Sequence, residues 1–345
     1  MMLCAGFKKE PEDKEKRCYV WGLRTASNLD FVHHRLLSIT SGFHIQDEGD
    51  RRLYRKFQTY SLYAILYGES PCLPVELHDL GNTVCFNYKI LCSCDGLFAI
   101  SVTCDYAEDL FLWNPSIREL KNLPDSGRDV RTGGCSYGFC YIECQNDYKI
   151  VEIGMGKFDD KIAHIRVYSL RNNSWKEIWK CPSICLTNHV KFVKGKLHWI
   201  TGDGSDRNSM WFNLKNETFG NVALPNPSSD TFNWKLVSSV GNLCMTCDYR
   251  NKTHVWIMKE YGLTDLWTIV ASIPKLVNKV IWLIFSSQND EILLQDISGL
   301  VWWYVSRDDD TFERRENQTH CECDGYGELS LYVESLVSPN SPFDR

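Results

Sequence analysis

The chain has 345 residues, 43% hydrophobic and 24% charged, with a formal net charge of −6 and a pI near 5.9. That length fits one large domain or two ordinary ones, and the mild acidity leaves no basic footprint for nucleic acid. No apolar run approaches the roughly 20 residues that a membrane helix requires.

The N-terminal stretch MMLCAGFKKEPEDKEKR is almost all charged after residue 7. Residues 1–16 are therefore expected to be disordered. Its apolar part is too short and its acids too many for a secretory signal, so cytoplasm and/or nucleus is the expected location. In a reducing compartment the 16 cysteines are read as free thiols, many of them buried as small hydrophobes. Helix is an option before residue 50 and again around 275–285. From about residue 54 the texture becomes β, with short runs rich in Val, Ile, Tyr, Trp and Phe between Gly, Asn, Asp and Pro. In chain order these are YSLYAILY (60–67), LFAISV (97–102), LFLW (110–113), YKIVEI (148–153), IRVYSL (165–170), KLHWI (196–200), LCMTC (243–247), HVWIM (254–258), EILL (291–294) and LVWWYV (300–305).

One of these runs recurs in a larger frame. In LWNPSIRELKNLP (112–124), Trp113 is followed by Leu120 seven residues on and Leu123 ten residues on. Tyr168 repeats the spacing with Trp175 and Ile178, and Phe212 with Phe219 and Val222. Two looser copies pair Trp256 with Trp267 and Trp303 with Phe312. Several anchors are preceded by a Gly-led strand: DGLFAI (95–100), KGKLHWI (194–200), GNLCMT (241–246) and SGLVWW (298–303). The pattern describes a hairpin whose turn uses Asn, Asp, Pro or Ser and whose return strand brings an apolar residue back beside the anchor. Anchors spaced 55, 44, 44 and 47 residues apart suit the blades of a β-propeller, about six of them. A β-sandwich with generic hairpins is the competing architecture.

No catalytic or cofactor constellation stands out. Cys244 and Cys247 form C-x-x-C, but inside a strand, where residues three apart face opposite sides. His320, Cys321 and Cys323 form the other local group with metal-ligand chemistry. GMGKF (154–158) lacks the glycine spacing and the hydroxyl residue of a phosphate loop. DGSDRN (203–208) places Arg207 where a calcium loop needs oxygen. His198, alone in the KLHWI strand, reads as a packed residue rather than a base. No metal or other cofactor is expected.

Five blocks together resemble a known family: CSCDGLFAI (92–100), LFLWNPSIRELKNLP (110–124), YGFCYIECQNDYKIVEI (137–153), IRVYSLRNNSWKEI (165–178) and VKFVKGKLHWIT (190–201). They are similar, in order and spacing, to the plant F-box-associated interaction domain of the S-locus F-box-like and F-box/kelch proteins. The resemblance spans about 55–340 and implies a kelch-like β-propeller that captures a target protein. It also implies an N-terminal F-box that binds the Skp-type adaptor of a cullin–RING ubiquitin ligase. Residues 17–36 resemble only the closing part of an F-box. Cys18, Trp21 and Phe31 match it as adaptor contacts, although the Trp-to-Phe spacing is one residue too long and Arg35 stands where His is usual. The expected organisation is thus a short helical F-box remnant and linker over 17–50, then the all-β domain. The function that the resemblance implies is target recognition for ubiquitination, with target binding uncoupled from the ligase as the alternative. An enzyme built on a propeller and a carbohydrate-binding propeller are the other classes.

Overall fold

A computed structural model describes residues 34–46, 50–61, 75–77, 87–104, 107–127, 135–154, 163–181, 190–201, 208–225, 231, 233–239, 241–261, 267–274, 282–286, 291–296, 299–305, 312–315 and 328–341. Its strands, numbered in chain order, form six four-stranded antiparallel sheets among the described residues. The first blade joins β1 (His34–Gln46), β2 (Asp50–Ser61) and β3 (Val75–Leu77) to the last strand, β24 (Glu328–Val333), in the order β24-β1-β2-β3. The second runs β4 (Asn87–Cys94), β5 (Leu97–Cys104), β6 (Ala107–Asn114) and β7 (Glu119–Asn122). The third runs β8 (Cys135–Ile142), β9 (Asp147–Gly154), β10 (Ala163–Ser169) and β11 (Ser174–Cys181). The fourth comprises β12 (Lys191–Val193), β13 (Lys196–Thr201), β14 (Asn208–Asn213) and β15 (Thr218–Val222). The fifth comprises β16 (Asn233–Ser239), β17 (Asn242–Asp248), β18 (Lys252–Met258) and β19 (Trp267–Pro274). The sixth comprises β20 (Trp282–Ser286), β21 (Glu291–Asp296), β22 (Gly299–Val305) and β23 (Phe312–Arg315).

Contacts between blades run β24 to β4, β4 to β8, β8 to β12, β12 to β16, β16 to β20 and β20 back to β24. That circuit closes, so these six are the inner strands of a six-bladed propeller, and the sandwich alternative is excluded. Chain closure lies in the first blade, where the C-terminal β24 is the inner strand beside β1. Tyr332 of β24 is buried. Its ring meets Phe98 of the second blade edge-on at 5.0 Å, and its hydroxyl lies 3.1 Å from Thr59 Oγ1 of β2.

The cores lie between blades rather than inside one shell. Leu97, Leu112, Tyr137, Ile150 and Tyr168 fill the space between the second and third blades. Val151, Ile165, Leu197, Trp199 and Phe212 do so between the third and fourth. Ile200, Val222, Met245, Cys247 and Met258 do so between the fourth and fifth. A middle blade is therefore covered on both faces, and strands such as β9 are buried almost throughout. Its apolar residues therefore do not follow a strict alternation, and even Asp147 and Glu152 on it are buried.

Two expectations about helix do not hold where the structure describes the chain. Residues 34–46, assigned above to the F-box remnant and linker, are strand β1, paired with β2 from Arg35↔Ser61 to Gln46↔Asp50. Leu37, Ile39, Phe43 and Ile45 fall at alternate positions, the period of a strand, and neighbours on both sides supply its hydrogen bonds. The first blade's sheet accordingly also takes in His34–Gln46, upstream of residue 55. In the 275–285 region, Trp282–Ser286 is strand β20. Cys18, Trp21, Phe31 and the His320-Cys321-Cys323 group lie outside the described residues.

Candidate interaction surface

Strand direction sorts the loops onto two ends of the propeller. Turns joining first to second and third to fourth strands of each blade lie at one end, and the described residues cover that end best. Asp95-Gly96 joins β4 to β5 with φ of 47° and 79°, and Lys194-Gly195 joins β12 to β13 with φ of 49° and 77°. Two consecutive left-handed residues make the tight turn that matches strand twist. These turns explain two of the Gly-led strands, and Gly241 (φ 71°) leads β17 in the same place. SGLVWW differs, because it leads β22, the third strand of its blade.

The third-to-fourth turns are built alike. Residues 115–118, 170–173 and 214–217 each end on a left-handed residue, Arg118, Asn173 and Glu217. Asn114 and Asn213 accept the backbone N–H two residues on through Oδ1, at 2.9 Å in both cases. Ser169 occupies the equivalent place, and its hydroxyl accepts the N–H of Asn172 at 3.2 Å. The repeat found in the sequence is this turn with its flanking strands. Trp113 lies directly across from Leu120, Tyr168 from Trp175, and Phe212 from Phe219. The rings of the last two pairs are 5.3 and 4.8 Å apart. The residue ten on faces the strand three residues before the anchor, as Ile178 faces Ile165 and Val222 faces Ser209. Trp113, Tyr168 and Phe212 are buried, whereas Leu120 is 36% exposed. The looser copies are out of register. Trp256 faces Ile269 while Trp267 faces Met258, and Phe312 faces Val305 rather than Trp303. Longer turns remove the fixed seven-residue spacing there.

Trp175 and Trp267 have a further role that the repeat spacing did not indicate. The Trp175 indole N–H donates to the carbonyl of Pro124 at 2.7 Å, and the Trp267 indole to that of Ala223 at 2.9 Å. Each bond runs from an outer strand to the residue just past the preceding blade's outer strand, so the same device ties blade to blade twice.

At this end the fourth and fifth blades carry a cation held by aromatics. Lys196 Nζ is 3.9 Å from the centre of a Trp211 ring and 5.1 Å from that of Tyr261. Trp211 lies flat over Gly220, where any side chain would collide with the indole. Tyr261 shares a 3.1 Å hydrogen bond with His198 Nε2. Burial lowers the Lys196 pKa, and burial with the nearby Lys196 charge holds His198 down to about 3, hence neutral. Nothing in the sequence beyond a lysine two residues before a strand histidine hinted at this group, because Tyr261 comes from another blade. Between the third and fourth blades, Lys176 pairs with Glu217 at 2.7 Å, both well exposed.

Residues 334–341 leave β24 and cross the same end of the second blade. Asn114 Nδ2 donates to the carbonyls of Ser335 and Val337 at 3.0 and 2.8 Å, and the Ser335 hydroxyl to the carbonyl of Asp95 at 2.5 Å. Ser338 and Asn340 bond Glu119. Val337 packs into the core between the second and third blades, yet Leu336 beside it is 86% exposed.

No group of three His, Cys, Asp or Glu side chains among the described residues is placed to hold a metal ion. Cys244 and Cys247 are buried in β17, and burial raises the Cys92, Cys94 and Cys140 thiols well above their usual range. One buried polar cluster is structural. Buried Glu152 accepts from Arg166 at 2.8 Å and from the Tyr137 hydroxyl at 3.2 Å, across β8, β9 and β10.

Residues 53–339 match the model of the F-box associated β-propeller domain. The chain belongs to that family. Among relatives of this F-box-associated propeller, an F-box/kelch-repeat protein of Arabidopsis thaliana is 28% identical over 73% of this chain and 70% of its own. F-box protein CPR1 of Arabidopsis thaliana is 28% identical over 72% and 68%. A third F-box protein of that plant is 24% identical over 60% and 58%. The sequence resemblance and the propeller geometry thus point to one family.

Proposed function

We propose that the propeller recognises a target protein and presents it to a Skp–cullin–F-box ubiquitin ligase, in the cytoplasm and/or nucleus, and is not itself an enzyme. The observation that carries this reading is the family match across a complete ring of blades, with relatives named as F-box proteins. The described residues offer a surface of turns with aromatic and charged side chains, the composition that binding anchors use. Affinity purification with mass spectrometry would identify the target, and co-purification of a Skp-type adaptor would test the ligase assignment. Target half-life should lengthen when the gene is lost.

A second reading is favoured by strand β1. Because residues 34–46 belong to a sheet, they are withdrawn from the helical F-box remnant that the family resemblance implies, which weakens its hold on an adaptor. The protein would then hold its target without delivering it. Failure to bind the adaptor, together with an unchanged target half-life, selects this second reading over the first.

A further inference from the structure

The fourth blade is a basic island in an acidic chain. The chain has a formal net charge of −6, yet residues 190–201 and 208–225 of this blade hold Lys191, Lys194, Lys196 and Lys215 against one acid, Glu217. Lys194, Lys196 and Lys215 stand at the end where the third-to-fourth turns lie. Glu217 is already engaged by Lys176 of the third blade. In the adjoining turn of the fifth blade, Lys259 and Glu260 offset each other. A partner of complementary charge for this rim is therefore acidic.

Within the island, Lys196 has a built setting. Its ammonium lies 3.9 Å from the centre of a Trp211 ring and 5.1 Å from that of Tyr261. Burial lowers its pKa, and no carboxylate among the described residues opposes that shift. Both rings are fixed, Trp211 in the space that Gly220 leaves and Tyr261 by its bond to His198. Both also pack on the core between the fourth and fifth blades, while all three side chains stay partly exposed. Rigid aromatics around one cation are the composition of an interface hot spot, and a carboxylate reaching this ammonium forms a charge-assisted hydrogen bond.

We propose that the rim at Lys196, Trp211 and Tyr261 grips the target protein, which offers an Asp or Glu to the Lys196 ammonium and an adjacent apolar side chain to the two rings. The inference rests on the target-recognition reading above and adds the chemistry of the segment recognised. Lys252 supplies a comparison, because its ammonium also lies over a ring, 5.8 Å from the centre of Tyr249, but at the opposite end of the propeller.

The probe is an array of short peptides in which Asp or Glu adjoins Leu or Phe, each beside its Asn or Gln counterpart and a phosphoserine counterpart. The full wild-type chain should bind the acidic members about tenfold or more tighter than the amides. Lys196→Met should abolish that preference without lowering the melting temperature, whereas Lys196→Arg and Lys252→Met should keep it. No preference for acids, a preference that survives Lys196→Met, or one confined to the phosphoserine peptides overturns the proposal. So does a Lys196→Met chain that loses the preference only by unfolding while Lys196→Arg, still folded, has lost it too. Affinity purification keeps the two readings apart. A target recovered equally by the wild-type and Lys196→Met chains overturns this proposal alone, and failure of the wild-type chain to recover any target overturns both.

Discussion

Replacing Trp113 with alanine separates the buried half of the repeated turn from its exposed half. Trp113 is 3% exposed, with its ring 6.1 Å from Phe98, which in turn touches Tyr332 of the closing strand. Burying about 200 Å² of aromatic surface at about 25 cal/mol per Å² corresponds to about 5 kcal/mol. Core aromatic truncations cost about 3–5 kcal/mol once partial relaxation is included. Leu120 sits directly across the strand, but its 36% exposure and a smaller side chain predict a loss of about 1 kcal/mol or less for Leu120→Ala. Urea denaturation followed by intrinsic fluorescence and far-UV circular dichroism would measure both. Because Trp113 leans through Phe98 on β24, its alanine variant should also expose the tail to carboxypeptidase well before the Leu120 variant does. Equal losses for the two variants, or a fully stable Trp113→Ala protein that had lost its target, would refute the assignment of Trp113 to the scaffold.

Trp175→Phe and Trp267→Phe keep the ring and delete only the inter-blade bond, so each should lower stability by about 1–2 kcal/mol, read from the urea midpoint. Arg166→Met should cost about 3–5 kcal/mol by stranding the Glu152 carboxylate, and adding Glu152→Gln should recover part of that loss in a double-mutant cycle. His198 has a folded pKa near 3 against about 6.5 when unfolded. The unfolded chain therefore binds the extra proton between these values, and the stabilisation, complete above pH 6.5, drains away as pH falls toward 3. His198→Gln should flatten that part of a thermal-melt profile against pH. Lys235, lowered to about 8 by burial with partial opposition from Asp248, should react with an amine-directed acylating reagent at pH 8 faster than exposed Lys215, as peptide mapping would show.

The blade and its turn were legible because both are local. Trp113 and Leu120, Tyr168 and Trp175, and Phe212 and Phe219 are separated by a turn of fixed length, so spacing alone pairs them. That rule fails where the turn lengthens: Trp267 meets Met258, not Trp256, and the sequence contains no mark of the shift. Contacts distant in sequence were beyond reach for a different reason. Asn114 looked like a turn residue, and it is one, but its amide also binds residues more than 200 positions away. Strand β1 was obscured by the family expectation of a helical F-box, although Leu37, Ile39, Phe43 and Ile45 already alternate. The lysine–aromatic group at Lys196, Trp211 and Tyr261 joins two blades whose relation only the ring supplies.

Strand β24 gives the molecule a test of its own completeness. Blades two to six can each form from a continuous stretch as it emerges from the ribosome, but the first blade waits for residues almost 300 positions later. Until then β1 has a bare inner edge, and the sixth and second blades have no neighbour to press against. A product halted by a premature stop between residues 316 and 327 would carry five finished blades and an open ring, with Phe98 stripped of its Tyr332 contact. Such a chain displays the apolar surface that chaperones and degradation machinery recognise, so truncated copies should be removed while copies with a closed ring persist.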